Sequence, residues 1–92
     1  MTVHDRLKYG DFWVTADRRF MYFYEMSTSH LNNTIAMLQR MAPDLQAYAE
    51  TNLRFSFYGK KRMHPGMWLN QQPAFQGLIK ERKRRKVDEF II

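Results

Sequence analysis

The stretch from Trp13 to Arg40, WVTADRRFMYFYEMSTSHLNNTIAMLQR, constrains this chain most, because it sets two different hydrophobic periods back to back. Phe12-Trp13-Val14-Thr15 and Phe20-Met21-Tyr22-Phe23-Tyr24 are rich in aromatic and β-branched residues and flank a short polar turn at Ala16 to Arg19, the pattern of a hairpin. Downstream, at about 100° per residue, Leu31, Ile35 and Leu38 fall on one line with Thr34, Met37 and Met41 beside them. Asn32, Asn33, Gln39 and Arg40 point elsewhere, so the spacing predicts an amphipathic helix over 28–41. Ser27 or Thr28 offers a hydroxyl to the orphan amides of its first turn, and Arg40 suits its negative pole. Ala42-Pro43 is expected to end it, since proline removes a donor and disfavours helical geometry before it. A hairpin is marginal alone in water, so the helix must cover it.

The remaining segments are placed around that unit. Residues 1–11 are expected to be mostly irregular, with Val3, Leu7 and Tyr9 available to pack on the hairpin and Gly10-Asp11 turning into the first strand. A second helix is expected near 44–53, with Pro43 in its first turn, either separate or as a kinked continuation. Arg54 to Tyr58 alternate, with Phe55 and Phe57 on one side, which predicts a third strand. Gly59-Lys60-Lys61-Arg62 reads as a basic turn, His64-Pro65-Gly66 as a type II turn, and Met67-Trp68-Leu69 as a fourth short strand or a plug. Asn70-Gln71-Gln72 has no pattern.

The last helix is expected over 73–87, opening on Pro73 and burying Phe75, Leu78 and Ile79. Arg82 lies on the same face, so the helix should leave the core there unless Arg82 is paired. The tail Val87 to Ile92 is apolar again: it folds back, adds an edge strand or marks a self-association surface. Together these readings predict one α+β domain over residues 1–92. A three-stranded, mostly antiparallel sheet packs on an amphipathic helix, and a basic C-terminal helix follows.

The chain has 92 residues, 45% of them hydrophobic, which supports a folded domain with one modest core. It has no cysteine, which removes disulfides, thiolate catalysis and cysteine-based zinc sites. No run approaches about eighteen apolar residues, and MTVHDRLKYG is too polar for a secretory signal, so a cytoplasmic protein with no membrane contact is expected. His4, His30 and His64 lack any local metal spacing, and there is no glycine-rich phosphate loop, no nucleophile elbow and no close pair of carboxylates with a basic partner. The expectation is therefore a non-enzyme with no cofactor, no metal and no catalytic residues.

Charge carries the best functional signal. Of the net charge of +6, residues 1–57 contribute none, with six basic and six acidic side chains, and residues 58–92 hold nine basic against three acidic. The excess is concentrated in Lys60-Lys61-Arg62 and in Lys80 to Lys86, where every residue except Glu81 is basic. Lys60, Lys61, Arg62, Lys80, Lys83, Arg84, Arg85 and Lys86 are thus the candidate contacts to a protein or nucleic-acid partner, with Trp68 or Tyr58 adding stacking. The plainer reading is a solvated helix end. His30 is expected to pack on the hairpin, and Asn33 and Arg40 to lie on a solvated face. Tyr22 and Tyr24 would serve as stacking platforms if exposed, but strand aromatics more often pack inward.

The spacing Trp13-x-Thr15-x-Asp17, a hydrophobic strand, then Met26-Ser27-x-x-His30-Leu31-x-Asn33-Thr34-Ile35-x-x-Leu38-x-Arg40 resembles a widespread set of short, uncharacterised phage and prophage proteins. Their pattern is a tryptophan strand, a tight turn, a Met-x-x-x-His-Leu-x-Asn helix start and a late Leu-x-x-Glu-x-x-x-Arg helix, which Leu78, Glu81 and Arg85 fit. This chain departs at the turn, with Arg18 where glycine is usual. The resemblance implies a mobile-element origin and no particular activity. The expected function is stoichiometric binding to a host macromolecule in the host cytoplasm, as an inhibitor or modulator of host machinery or defence. The alternatives are a non-specific RNA- or DNA-binding protein using the basic runs at 60–62 and 80–86, and a homo-oligomeric assembly component joined through the C-terminal tail.

Overall fold

The computed structural model describes residues 2–52 and 63–91, the side chains of His4, Thr51, Asn52 and 87–91 lying outside that description. In chain order it has a one-turn helix α1 (Val3–Arg6), strands β1 (Phe12–Val14) and β2 (Phe20–Tyr22), a 3-10 turn at Phe23–Glu25, and helices α2 (Thr28–Asn52), α3 (Pro65–Asn70) and α4 (Pro73–Ile91). The α+β class stands. Among the described residues the sheet has two antiparallel strands, and the third strand expected at 54–58 lies outside them.

The hairpin turn shows how a non-glycine loop closes. The Arg18 amide donates to the Thr15 carbonyl at 3.0 Å and the Thr15 amide to the Arg19 carbonyl at 2.9 Å. This leaves Ala16-Asp17-Arg18 as a three-residue loop with Arg18 left-handed at φ 65°. A three-residue loop closed by a left-handed residue is not the two-residue type I′ turn. Side chains support the strained position: the Thr15 hydroxyl donates to the Asp17 carboxylate and accepts from the Arg19 amide at 3.1 Å.

Strand alternation sorts the hairpin residues onto two faces. Trp13, paired with Met21, faces inward and is buried. Phe12 pairs with Tyr22 and Val14 with Phe20, and here the expected inward packing of the β2 aromatics is corrected: Phe20 is 71% exposed and Tyr22 48%. These rings pack across the strands in the open, Phe12 meeting Phe20 and Tyr22 edge-on at 5.3 and 6.4 Å.

Helix α2 begins as its sequence indicates, with the Ser27 hydroxyl accepting from the His30 amide at 3.1 Å. It does not end at Pro43. The two expected helices are one, running through Pro43 to Asn52. Proline inside a helix costs about 3 kcal/mol, but Pro43 and Gln39, whose carbonyl loses its partner, are both exposed, so water takes the lost bond. The inward face continues past it through Ala42, Leu45, Gln46 and Ala49, all buried. Burying a leucine alone returns about 1.5–3 kcal/mol, enough to offset the break.

His64-Pro65-Gly66 is the start of a helix, not a turn: the His64 imidazole Nδ1 accepts from the Gly66 amide at 3.0 Å, and Pro65 takes the first helical position. Met67-Trp68-Leu69 is accordingly helical and not a strand, with Trp68 and Leu69 in the core. Asn70-Gln71-Gln72 links α3 to α4. The Gln72 side-chain amide donates to the Trp68 carbonyl, and that of Gln76 to the Asn70 carbonyl, both at 3.0 Å. The N-terminal segment is tied to the same place, since the Ala74 amide donates to the Leu7 carbonyl at 3.1 Å and Leu7 is buried. One core results, in which Leu31, Ile35, Leu38, Leu69, Phe75 and Leu78 meet Trp13, Phe23 and Met26.

Candidate functional site

The basic helix does not leave the core at Arg82. The inward row of α4 passes from Leu78 to Glu81 and Arg85, three and four residues apart, and Glu81 is only 8% exposed. Arg85 lies across the 3-10 turn and the start of α2: its guanidinium donates to the Phe23 carbonyl at 3.1 Å, the Met26 carbonyl at 2.6 Å and the Thr28 hydroxyl at 3.2 Å. Its Nε donates to Glu81 at 3.0 Å. Arg84 grips the same carboxylate with two bonds of 2.9 and 2.7 Å. The helix thus stays docked where its apolar residues end, because an ion pair and backbone carbonyls extend the packed face.

The hydrogen bonds from Arg84, joined by those from Arg85, outweigh burial and hold the Glu81 carboxyl below the ordinary glutamate value. The folded value being lower than the unfolded one, this contribution to stability is complete above the unfolded value and is lost as pH falls through the folded one. The difference in melting temperature between the native chain and Glu81→Gln is therefore expected to be largest near neutral pH and to shrink in acid. A difference independent of pH would refute this.

The run Lys80 to Lys86 is thereby divided. Arg85 is half-buried and committed to internal acceptors, and Arg84 is shared between Glu81 and solvent, its side chain 54% exposed. Lys80, Lys83 and Lys86 are exposed, and Arg82 is half-buried. Lys60, Lys61 and Arg62 lie outside the described residues, as does Tyr58, and the apolar side chains of the tail do too. The backbone there is helical to Ile91, so the tail adds no edge strand. Trp68 is buried and supplies no stacking surface.

Periodicity did not reveal what stands beside the exposed lysines. The hairpin and α4 enclose an open groove of about 440 Å³. Its hairpin wall carries Asp11, Tyr22 and Tyr24, and its helix wall carries Gly77, Lys80, Glu81 and Arg84. Tyr22 and Tyr24 stack with centroids 5.4 Å apart and planes 9° from parallel, and Tyr24 is 65% exposed. Lys80 also lines a second groove of about 470 Å³ with Asn70 and Lys83. Gly77 sets the wall spacing: a Cβ there would stand 2.1 Å from the Gly10 carbonyl oxygen and 2.5 Å from the Phe23 ring. The tyrosines were legible as strand aromatics, but their exposure depends on which face the helix covers.

No family model, curated protein or solved structure matches this chain. Its own residues must carry the functional reading. Among the described residues no group of three His, Asp or Glu side chains is placed to hold a metal ion, and no helix is long and apolar enough to cross a membrane. His30 is half-buried in the first turn of α2, His64 caps α3, and Asn33 and Arg40 are exposed on the outer face of α2. The grooves flanking Lys80 are where exposed aromatic surface and exposed positive charge come together.

Proposed function

We propose that this is a small accessory protein of the phage kind, acting in the host cytoplasm by stoichiometric binding to a host macromolecule and so modulating host machinery or defence. Its contact face is the groove between the hairpin and α4, extended by the exposed lysines of that helix. The supporting observation is the exposed Tyr22–Tyr24 stack, sharing one groove with Lys80. Exposed aromatic patches with charged surrounds mark interaction surfaces. The origin rests on the resemblance carried by Trp13 to Arg40 and by Leu78, Glu81 and Arg85.

The test reverses charge only where the fold does not need it. Lys80→Glu/Lys83→Glu/Lys86→Glu is expected to keep the native melting temperature within a few degrees and to lose capture of the cellular partner. Capture unchanged by the triple reversal would remove the face from consideration.

A further inference from the structure

Resting on that binding reading, the chemistry of the groove narrows the partner class. We infer that it takes single-stranded nucleic acid, a base continuing the Tyr22–Tyr24 stack while neighbouring phosphates follow Lys80 and Lys83. The two rings are already parallel, and the outer one is mostly open, so a flat heterocycle adds to the pile without rearrangement. Stacking of this kind is sequence-tolerant, because every base presents a π-face. Lys80 belongs to both grooves, so the positive track runs from the tyrosines toward Lys83 and Asn70.

The acidic groups in the groove do not oppose this. Glu81 is held by two arginines, which leaves the helix wall positive. Asp11 lines the groove from the hairpin side, with the rings, and Lys80 lines it from the helix side. The large apolar side chains exposed along β2 and the turn after it are Phe20, Tyr22 and Tyr24, all aromatic. Flat apolar groups joined by anionic links suit that pairing of surfaces, and a duplex does not, because its bases are already stacked on one another.

The experiment is fluorescence anisotropy of the full chain with labelled oligothymidylate and oligouridylate of about a dozen nucleotides, and with a duplex of equal length. Tight binding of a single strand over duplex is expected, weakening about tenfold for a fourfold rise in salt if two or three phosphates are neutralised. Tyr24→Ala should weaken it about tenfold, while Tyr24→Phe, which keeps the ring, should not. Lys80→Glu/Lys83→Glu, at exposed positions, should abolish it. Failure to bind either oligonucleotide, equal binding of duplex, or indifference to Tyr24→Ala in a chain that melts normally would overturn the assignment. If oligonucleotides are ignored while a nuclease-insensitive protein is captured through Lys80 and Lys83, the partner class is wrong and the binding reading survives. If neither depends on those lysines, both fall.

Discussion

Gly77→Ala should destabilise this protein by about 3 kcal/mol, opposite in sign to what the same change does in most helices. Replacing an exposed mid-helix glycine by alanine ordinarily gains about 0.5–1 kcal/mol, because glycine loses more backbone freedom on folding. Here the added methyl would lie 2.1 Å from the carbonyl oxygen of Gly10, a backbone atom, and 2.5 Å from the buried Phe23 ring. Neither neighbour can swing aside. Overpacking of this kind costs about 1–3 kcal/mol, and moving α4 outward would also stretch the Arg85 bonds to the Phe23 and Met26 carbonyls. In a domain of this size about 3 kcal/mol lowers the melting temperature by more than about ten degrees. A thermal melt decides it, and an unchanged or raised midpoint would mean that the helix does not approach the hairpin this closely. Groove binding should fall with the same variant even below its melting point, since Gly77 separates the two walls.

Arg85→Ala is expected to be about as damaging, for a different reason. One guanidinium serves two backbone carbonyls, a threonine hydroxyl and a carboxylate. Removing it leaves the Phe23 and Met26 carbonyls without that donor where α4 covers them. Hydrogen bonds to charged groups contribute about 1.5–3 kcal/mol each, and breaking a buried pair costs about 3–5 kcal/mol. Arg84 keeps part of the Glu81 charge compensated, so about 3 kcal/mol is the expected loss. Arg85→Lys should recover little of it, because an ammonium lacks the planar fork that reaches several acceptors. Glu81→Leu/Arg85→Leu is more telling. Replacing a buried ion pair by apolar residues is often neutral, but here the Met26 carbonyl would lose the Arg85 donor and the Phe23 carbonyl would keep only the Met26 amide at 3.2 Å, so the double variant should stay destabilised. Chemical denaturation of the variants measures this directly, and a double variant as stable as the native chain would reduce Arg85 to an ordinary ion pair.

Glu81 and Arg85 also belong to the spaced pattern of Trp13 to Arg40 and Leu78 to Arg85, whose residues have structural roles. Trp13 is buried in the core, Thr15 and Asp17 close the turn, Ser27 caps α2, and Leu31, Ile35 and Leu38 fill the core. Glu81 and Arg85, the spaced charges of the late helix, join α4 to the carbonyls of Phe23 and Met26. Most of the pattern is therefore a description of a fold, and the groove tyrosines and exposed lysines lie outside it. Asp17, Ser27, Asn33 and Arg40 are the exposed residues of the pattern, the first two bonded within the turn and the helix cap.

The hairpin, the start of α2 and the opening of α4 at Pro73 were readable from the chain alone, because each depends on neighbours within a few residues: alternation, a capping hydroxyl, a proline at the first position. So was the concentration of positive charge behind residue 57. Whether α2 stopped at Pro43 or continued past it was left open, since the local rule against proline competes with an apolar face that only the other helices define. The division of the basic run was hidden for a similar reason. Glu81 and Arg85 look like solvated charges until the carbonyls of Phe23 and Met26, far away in sequence, come within reach. The exposure of Tyr22 and Tyr24 was likewise settled by packing: α4 lies beside the end of the hairpin and the turn after it so that both rings line an open groove with Lys80 instead of entering the core.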